Sequence, residues 1–274
     1  MRKHHVVPSL ALRSRLRNAD MASWGVYLPP DLKAGVPFKR SATASRHSSS
    51  EEEVSAHEMS ELSVSGNVWR LAQCSKGCWQ VQKEMDSKED EMLVFELKGH
   101  VVAASQHRHA NHVLQKAIMT TRPRALQFVI NELASVPLGQ VARHRYGCRV
   151  IQRLLEKCLP DQLLVLVSSL LEDSAETLAL CRHIFANYVM QCLIDRGTDQ
   201  QRLFISHFLL DNMRALACDI YGCKVLMAGL TRLDDRDCTS LAHQLADDTS
   251  LMTFLETTQF GAELVMQVKL LVWS

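Results

Sequence analysis

Apolar residues recur with a helical period along much of this chain. Between residues 150 and 158 the apolar positions follow the spacing i, i+1, i+4, i+5, i+8, which forms one stripe of an α-helix. The stripe consists of Val150, Ile151, Leu154, Leu155 and Cys158, and it recurs at Val189, Met190, Leu193 and Ile194 and at Val113, Leu114, Ala117 and Ile118. These stretches predict α-helices joined by turns, without strands.

Each stripe belongs to a short motif that is written six times. The motif is Gly or Ala, then Cys, Asn or Ala, then a flat or charged residue, with Gln or Met four positions after the Cys, Asn or Ala. The Cys, Asn or Ala positions are Cys78, Asn111, Cys148, Asn187, Cys223 and Ala262, separated by 33, 37, 39, 36 and 39 residues. Internal periods of about 20–50 residues indicate a stacked solenoid.

Two further positions recur around the motif. An apolar residue stands seven positions before each Cys, Asn or Ala: Leu71, Ala104, Val141, Leu180, Leu216 and Leu255. The residue immediately before the Cys, Asn or Ala is always small: Gly77, Ala110, Gly147, Ala186, Gly222 or Gly261. We expect this small side chain to allow close packing of successive helices.

The segments between motifs predict two more helices per repeat. A second helix is expected over residues 124–133, 161–171, 199–210 and 239–245, and Pro160 suits a helix start. A short third segment, at 137–143, 174–181 and 211–217, leads back to the next motif. The predicted unit therefore has three helices.

The polar residues of the motif fall on one helix face. Cys148 and Gln152 are four apart and lie one above the other, while Arg149 is about 100° round the helix. Each copy is expected to present a small side chain, an amide and a flat or cationic group on an exposed face. Stacking of the repeats would align these trios in a row.

Charge is distributed unevenly although the formal net charge is only +1. Residues 107–157 hold nine Lys or Arg against two acids, whereas residues 158–274 hold eight against fifteen. This asymmetry favours an anionic partner contacted mainly by the middle repeats, the alternative being ordinary solvated charge.

The cysteines and histidines do not form a recognisable chemical site. The nine Cys residues include no CxxC pair, which suits a reducing compartment without a disulfide framework. Cys74 with Cys78, and His107 with His109 and His112, could be imagined as metal ligands, but the helical repeat already accounts for three of these five. No phosphate loop, GxSxG or HExxH is present, so we expect no enzyme, metal or cofactor.

The first 63 residues differ in composition from the rest. Residues 1–19 hold five Arg or Lys and no acid, typical of a basic disordered tail or of a mitochondrial targeting segment. Residues 41–63 are rich in Ser, as disordered segments are. We therefore predict a disordered tail over 1–63, a repeat domain over 64–274 with order starting near residue 67, and no membrane-spanning helix.

The motif resembles the base-reading helix of the Pumilio (PUF) family of RNA-binding repeat proteins. The likeness is strongest at residues 146–152 (YGCRVIQ) and 185–191 (FANYVMQ), and it covers about residues 65–274. It implies an all-α, right-handed α-solenoid of about six three-helix repeats, the first and last incomplete or eroded. It also implies a monomer that binds single-stranded RNA, one base per repeat and antiparallel to the protein.

The resemblance assigns roles residue by residue. Base-edge contacts fall to the pairs Cys78 and Gln82, Asn111 and Gln115, Cys148 and Gln152, and Asn187 and Gln191. Stacking between bases falls to Trp79, His112, Arg149 and Tyr188, whose flat π or guanidinium surfaces suit that task. In the family's code Cys with Gln suits adenine and Asn with Gln suits uracil, which implies a 5′-UAUA-3′ core.

The last two copies depart from the family pattern. Copy five has Cys223, Lys224 and Met227, and a thioether is only a weak acceptor. Copy six has Ala262, Glu263 and Met266, which can read nothing by the code, and Glu263 would repel a phosphate. Family members usually have about eight repeats, and this chain stops at Ser274 within copy six, so we expect a truncated product or an end that packs on something else.

Three functions follow as hypotheses. The first is binding of messenger RNA 3′ untranslated regions in the cytoplasm, with recruitment of translation or deadenylation regulators, as the resemblance implies. The second is a helical scaffold for proteins that has lost base reading, favoured by copies five and six. The third is a nucleolar relative acting on ribosomal RNA, against which the four intact Gln residues argue. A mitochondrial location is the alternative raised by residues 1–19.

Overall fold

The computed structural model describes residues 62–87 and 91–273. Seventeen α-helices and one 3-10 helix lie in these ranges, which contain no strand. The predicted disordered tail falls, except for its last two residues, outside the described part and stays a prediction. Within the described ranges, no helix combines the length and apolar character needed to cross a bilayer.

Six helices carry the motif, and we call them the motif helices. Their apolar stripes are buried as predicted: Val150, Ile151 and Leu154 are at most 1% exposed, and Leu114 and Ile118 are fully buried. The motif helices are α2 (Ser75–Ser87), α5 (Ala110–Thr120), α8 (Gly147–Lys157), α11 (Asn187–Arg196), α14 (Ile220–Arg232) and α17 (Ala262–Trp273).

Second helices follow the motif helices as the sequence predicted. They are α3 (Glu91–Phe95), α6 (Gln127–Ala134), α9 (Pro160–Leu171), α12 (Asp199–Asp211) and α15 (Asp235–Asp247). A 3-10 turn, Pro123–Leu126, precedes α6, and Pro160 occupies the first position of α9. The last second helix begins four residues earlier than expected because Asp234 caps it through the backbone N–H of Asp237.

A short helix precedes each motif helix. The short helices are α1 (Val68–Ala72), α4 (Val101–Gln106), α7 (Leu138–Arg143), α10 (Ser174–Cys181), α13 (Met213–Ala217) and α16 (Thr249–Thr257). The three that were predicted match within two residues at either end. Apolar residues from all three kinds of helix form one continuous buried cluster, as expected for a stack of units that share a core.

The small residue of the motif lies where two successive helices approach closely. A Cβ built on Gly147 would lie closer than 3.0 Å to the backbone carbonyl oxygen of Val141, and a Cβ on Gly222 would meet that of Leu216 in the same way. Both carbonyls belong to the short helix of the same repeat. The predicted close packing of successive helices is thus confirmed at these two glycines, and the two helices concerned are a motif helix and the short helix that precedes it.

Candidate nucleic-acid interface

Consecutive motif helices pack against one another with equivalent residues side by side. The Cys78 thiol, in copy one, lies 3.2 Å from the carbonyl oxygen of His109, near the start of the next motif helix. Farther along the stack, the guanidinium carbon of Arg149 lies 5.0 Å from the ring centroid of Tyr188, its counterpart in copy four. The motif residues of successive copies thus come together in a row, as the repeat period predicted.

In the two Asn copies the Gln amide rests on the Asn side chain. Gln115 donates through Nε2 to Asn111 Oδ1 at 3.0 Å, and Gln191 donates to Asn187 Oδ1 at 2.9 Å. The Asn side chain is held from below: Asn111 Nδ2 donates to the carbonyl oxygens of His107 at 2.7 Å and Arg108 at 3.0 Å. The Asn donors are therefore already committed within the turn.

In the two Cys copies the Gln amide reaches the backbone instead. Gln82 Nε2 donates to the carbonyl oxygen of Cys78 at 3.1 Å and also lies 3.1 Å from its Sγ, and Gln152 Nε2 donates to the carbonyl oxygen of Cys148 at 3.1 Å. The thiol is small and leaves this carbonyl within reach. All four Gln residues are thus anchored through Nε2, in two different ways.

The expectation of an exposed trio is wrong for the first residue of the pair. Asn111 and Asn187 are 1% and 0% exposed, and Cys78 and Cys148 are also buried. The two Asn side chains point into the turn between the short helix and the motif helix, where they donate to carbonyl oxygens. The residues at the surface of the row are Gln82, Gln115 and Gln191, together with the stacking residue that follows each Cys or Asn.

Gln152 is the one intact Gln that the structure buries, at 5% exposure. Arg149 accounts for this, since its guanidinium donates to Gln152 Oε1 at 3.2 Å while lying over Tyr188. Arg149 itself is only partly buried. A base entering between copies three and four would therefore have to displace the Arg149 side chain from the Tyr188 ring.

The predicted stacking residues of the first two copies are open. Trp79 is 65% exposed, with the Lys83 ammonium 5.3 Å from its ring centroid, and His112 is also exposed. Arg149 and Tyr188 are partly buried by one another. All four offer a π or guanidinium face on the same side of the row.

Copies five and six lack the Gln anchor. In copy five Cys223 is buried, Met227 replaces the Gln, and Lys224 lies 5.8 Å from the Tyr221 ring centroid rather than on the next copy. In copy six Ala262, Glu263 and Met266 are all exposed. That these copies are weak or lost reader positions stays a prediction.

Every motif helix is capped by the residue four positions before its Cys, Asn or Ala, a feature that the sequence reasoning missed. In copy three His144 Nδ1 accepts from the backbone N–H groups of Tyr146 at 3.3 Å and Gly147 at 3.4 Å. Asp219 Oδ1 does the same in copy five at 2.9 and 2.8 Å. The six capping residues are Cys74, His107, His144, His183, Asp219 and Thr258. A polar residue at this fixed offset was the available signal.

Burial sets the protonation of the thiols and the capping imidazoles. It raises the pKa of Cys148 to about 11 and that of Cys223 to about 12, so these motif thiols are neutral and nearly apolar. Burial, with a neighbouring Arg, lowers the pKa of His107, His144 and His183. Neutral imidazoles keep Nδ1 available as the acceptor that caps the helix.

Two of the five residues considered as metal ligands, Cys74 and His107, cap helices instead. Cys74 Sγ accepts from the Gly77 N–H at 3.3 Å, and His107 Nδ1 accepts from the N–H groups of His109 and Ala110. In the described ranges no group of three or more His, Cys, Asp or Glu is placed to hold a metal ion.

Comparison with known proteins points to one family. The Pumilio-family RNA binding repeat matches residues 100–134, 138–171, 177–208 and 212–226, which contain the motifs of copies two to four and all but the last residue of copy five. A Pumilio domain-containing protein of Schizosaccharomyces pombe is 29% identical over 154 residues, or 55% of this chain. The Pumilio homology domain family member 4 of Saccharomyces cerevisiae is 29% identical over 140 residues, or 48% of this chain. The chain covers only 22% and 14% of these relatives' lengths.

Solved structures agree with the fold. The crystal structure of PUF-8 in complex with PBE-RNA superposes with a TM-score of 0.68 at 21% identity, covering 76% of this chain and 62% of that one. The RNA-binding domain of yeast Puf5p bound to SMX2 RNA gives a TM-score of 0.65 at 17% identity, covering 77% and 60%. The predicted all-α solenoid of Pumilio-type repeats is thereby confirmed.

Proposed function

We propose that this chain, which belongs to the Pumilio family of RNA-binding repeat proteins, binds single-stranded RNA sequence-selectively through its row of motif helices. The observation that carries the proposal is the fourfold repetition of one device: a Gln amide anchored through Nε2 above a buried Cys or Asn, followed round the helix by a stacking group. Solvated surface amides would have no reason to recur with this geometry.

The finer proposal is a 5′-UAUA-3′ core read by copies four to one. Asn187 and Gln191 would read the first U, Cys148 and Gln152 the first A, and the two earlier copies the remaining U and A. We further propose that such a core lies in messenger RNA 3′ untranslated regions, and that binding in the cytoplasm regulates translation or decay through recruited proteins.

The test is binding to an oligonucleotide carrying UAUA and to one with the central A and U exchanged, at fixed salt. Two mismatched bases are expected to weaken binding by about 2–6 kcal/mol, at about 1–3 kcal/mol each. Equal affinity for the two oligonucleotides would refute the base assignments. Binding that is weak, unselective and abolished by moderate salt would refute selective RNA binding itself.

A single substitution sharpens the assignment. Asn187→Cys should move the preference of copy four from U to A, because a small thiol then stands beside Gln191. Met266→Ala in copy six is the matched control, since Met266 is 60% exposed at the equivalent of the Gln position and lacks a reading amide. A preference at the first base that does not change in Asn187→Cys would remove copy four from the readers.

One observation favours a second function, that of a protein scaffold. Leu164 and Val165 on α9 are 53% and 62% exposed, and Leu203 and Phe204 occupy the equivalent positions on α12 at 50% and 45% exposure. Exposed apolar side chains repeated on adjacent repeats are typical of protein contact surfaces. This surface lies on second helices, so it is compatible with RNA binding at the motif helices and could serve the recruitment proposed above.

A further inference from the structure

Two arginines near the N-terminal ends of motif helices have no acidic partner in the described ranges. Arg108 and Arg145 each lie three positions before the first motif residue, Asn111 and Cys148 respectively, and both are exposed. Neither forms an ion pair with any residue in the described ranges, although other Arg residues do. The Arg145 guanidinium lies 4.8 Å from the Tyr146 ring centroid, which keeps it at this edge of the row.

At the opposite edge of the row, the C-terminal ends of the motif helices, acids lie beside the cations. Three of these acids form ion pairs with cations within or between copies. The pairs are Lys116 with Asp86, Arg153 with Glu156 at 2.5 Å, and Arg196 with Asp195 at 3.0 Å. A phosphate approaching this edge would meet carboxylates as well as cations, and would have to break existing pairs.

Helix direction adds to the difference between the edges. Residues near the starts of adjacent motif helices contact each other, as Cys78 and His109 do, and residues near the ends contact each other, as Lys116 and Asp86 do. The motif helices therefore run in parallel, and their N-terminal ends share one edge. Each helix contributes a partial positive charge at that edge and a partial negative charge at the other.

We propose that the sugar–phosphate backbone of the bound RNA runs along the N-terminal edge of the motif row, with Arg108 and Arg145 contacting its phosphates. The inference rests on the proposed function and adds the path of the backbone to it. The equivalent positions in the other copies carry no cation: they are Ser75, Ile184, Ile220 and Gln259. The charged contact is thus confined to copies two and three, which would read the central A and U.

The salt dependence of RNA affinity tests this path directly. For single strands the slope of log K against log salt is about −0.7 per phosphate contact, so Arg108→Ala should reduce its magnitude by about 0.7 and the double variant with Arg145→Ala by about 1.4. Between 50 and 200 mM salt, the double variant should therefore lose about sevenfold less affinity than the wild type. The ratio of affinities for UAUA and for the exchanged oligonucleotide should not change.

Two control variants distinguish charge at the N-terminal edge from charge elsewhere on the protein, and a third variant keeps the charge at that edge. Arg236→Ala removes the same charge from an exposed position on the second helix α15, and it should leave the slope unchanged. The double variant Arg153→Ala with Glu156→Ala deletes a pair at the C-terminal edge without changing net charge, and its slope should also stay at the wild-type value. Arg108→Lys with Arg145→Lys should retain the slope, because a lysine ammonium also meets phosphate.

The outcomes are distinguishable from a failure of the proposed function. Selective binding by the wild type with a slope that Arg108→Ala and Arg145→Ala leave unchanged would overturn the backbone path while RNA reading stands. A slope reduced only by the Arg153 and Glu156 double variant would place the phosphates at the C-terminal edge and overturn it equally. Absence of selective binding by the wild type would instead remove the proposed function.

Discussion

Acidification should weaken this fold at the starts of three motif helices. His107, His144 and His183 each accept two backbone N–H groups through Nδ1, at distances of 3.1 to 3.4 Å. Protonation turns Nδ1 from an acceptor into a donor, so both capping bonds are lost. It also places a positive charge at a helix N-terminus, which is the unfavourable end for a cation.

The direction follows from the shifts in pKa. Burial first, and then Arg108, Arg145 or Arg143, lowers the pKa of these imidazoles below the ordinary value of 6.5. Between pH 6.5 and the lower pKa of the folded state, these three imidazoles are therefore more protonated in the unfolded chain than in the folded chain. The stabilisation is fully present above pH 6.5 and is lost as pH falls from 6.5 through the folded values.

The size of the effect is bounded by the number of caps. One N-cap contributes about 0.5–2 kcal/mol, so losing three should cost about 3 kcal/mol in the free energy of unfolding. The free energy of unfolding cannot fall by more than about 4 kcal/mol per pH unit, because each of the three imidazoles takes up at most one proton, and one proton changes this free energy by about 1.36 kcal/mol per pH unit. A loss of this size is a large part of the stability of an ordinary domain.

Urea unfolding followed by helical circular dichroism, at several pH values from 7.5 to 5, measures the effect. The control is a triple variant with Asn at all three positions, because Asn caps helices well and does not titrate. Copy five already shows that a short polar side chain fits there, since Asp219 caps the same two N–H groups. His109 and the remaining histidines are common to both proteins. Parallel pH profiles for the two would refute the assignment of acid sensitivity to the caps.

Two further predictions concern packing and reactivity. Gly147→Ala should lower the free energy of unfolding by about 1 kcal/mol and so lower the urea midpoint. The added methyl group costs about 1–3 kcal/mol in overpacking against a backbone carbonyl, which exceeds the helix-propensity gain of about 1 kcal/mol. An unchanged or higher midpoint would contradict the steric argument. At pH 8 iodoacetamide should modify the exposed Cys218. Cys148, which is buried and has a pKa of about 11, should stay unmodified until the chain is unfolded, as measured by mass spectrometry of the peptides. Equal labelling of the two residues in the native protein would count against burial of the motif thiols.

The solenoid could be predicted from the sequence because its signals are local and repeated. The stripe at Val150, Ile151 and Leu154 specifies a buried helix face by spacing alone, and six motif copies average out the ambiguity of any one. Proline at position 160 marked a helix start correctly. The row of motif residues then followed from the period, since equivalent positions of stacked repeats become neighbours.

The turn before each motif helix could not be predicted in the same way. The contact between Gly147 and the carbonyl of Val141 depends on the angle between two helices, which the spacing of residues does not fix. Histidine is not among the common N-cap residues, so His107 was considered only as a possible metal ligand, and the capping roles of His144 and His183 were missed. The depth of Asn111 and Asn187 has the same origin, since their carbonyl partners exist only once the turn is formed.

The two ways of anchoring Gln offer a physical reason for base selection under the proposed function. In Asn copies the amide of Gln115 or Gln191 stands on a side-chain oxygen, whereas in Cys copies Gln82 and Gln152 descend to a backbone carbonyl. Since Nε2 is the anchored atom in every case, Oε1 and the second N–H are the groups that can face a base. The acceptor that fixes the Gln amide is therefore a side-chain oxygen in the Asn copies and a backbone oxygen in the Cys copies. Under the proposed function, the buried residue would thus influence the choice between A and U through the acceptor that it gives to its Gln.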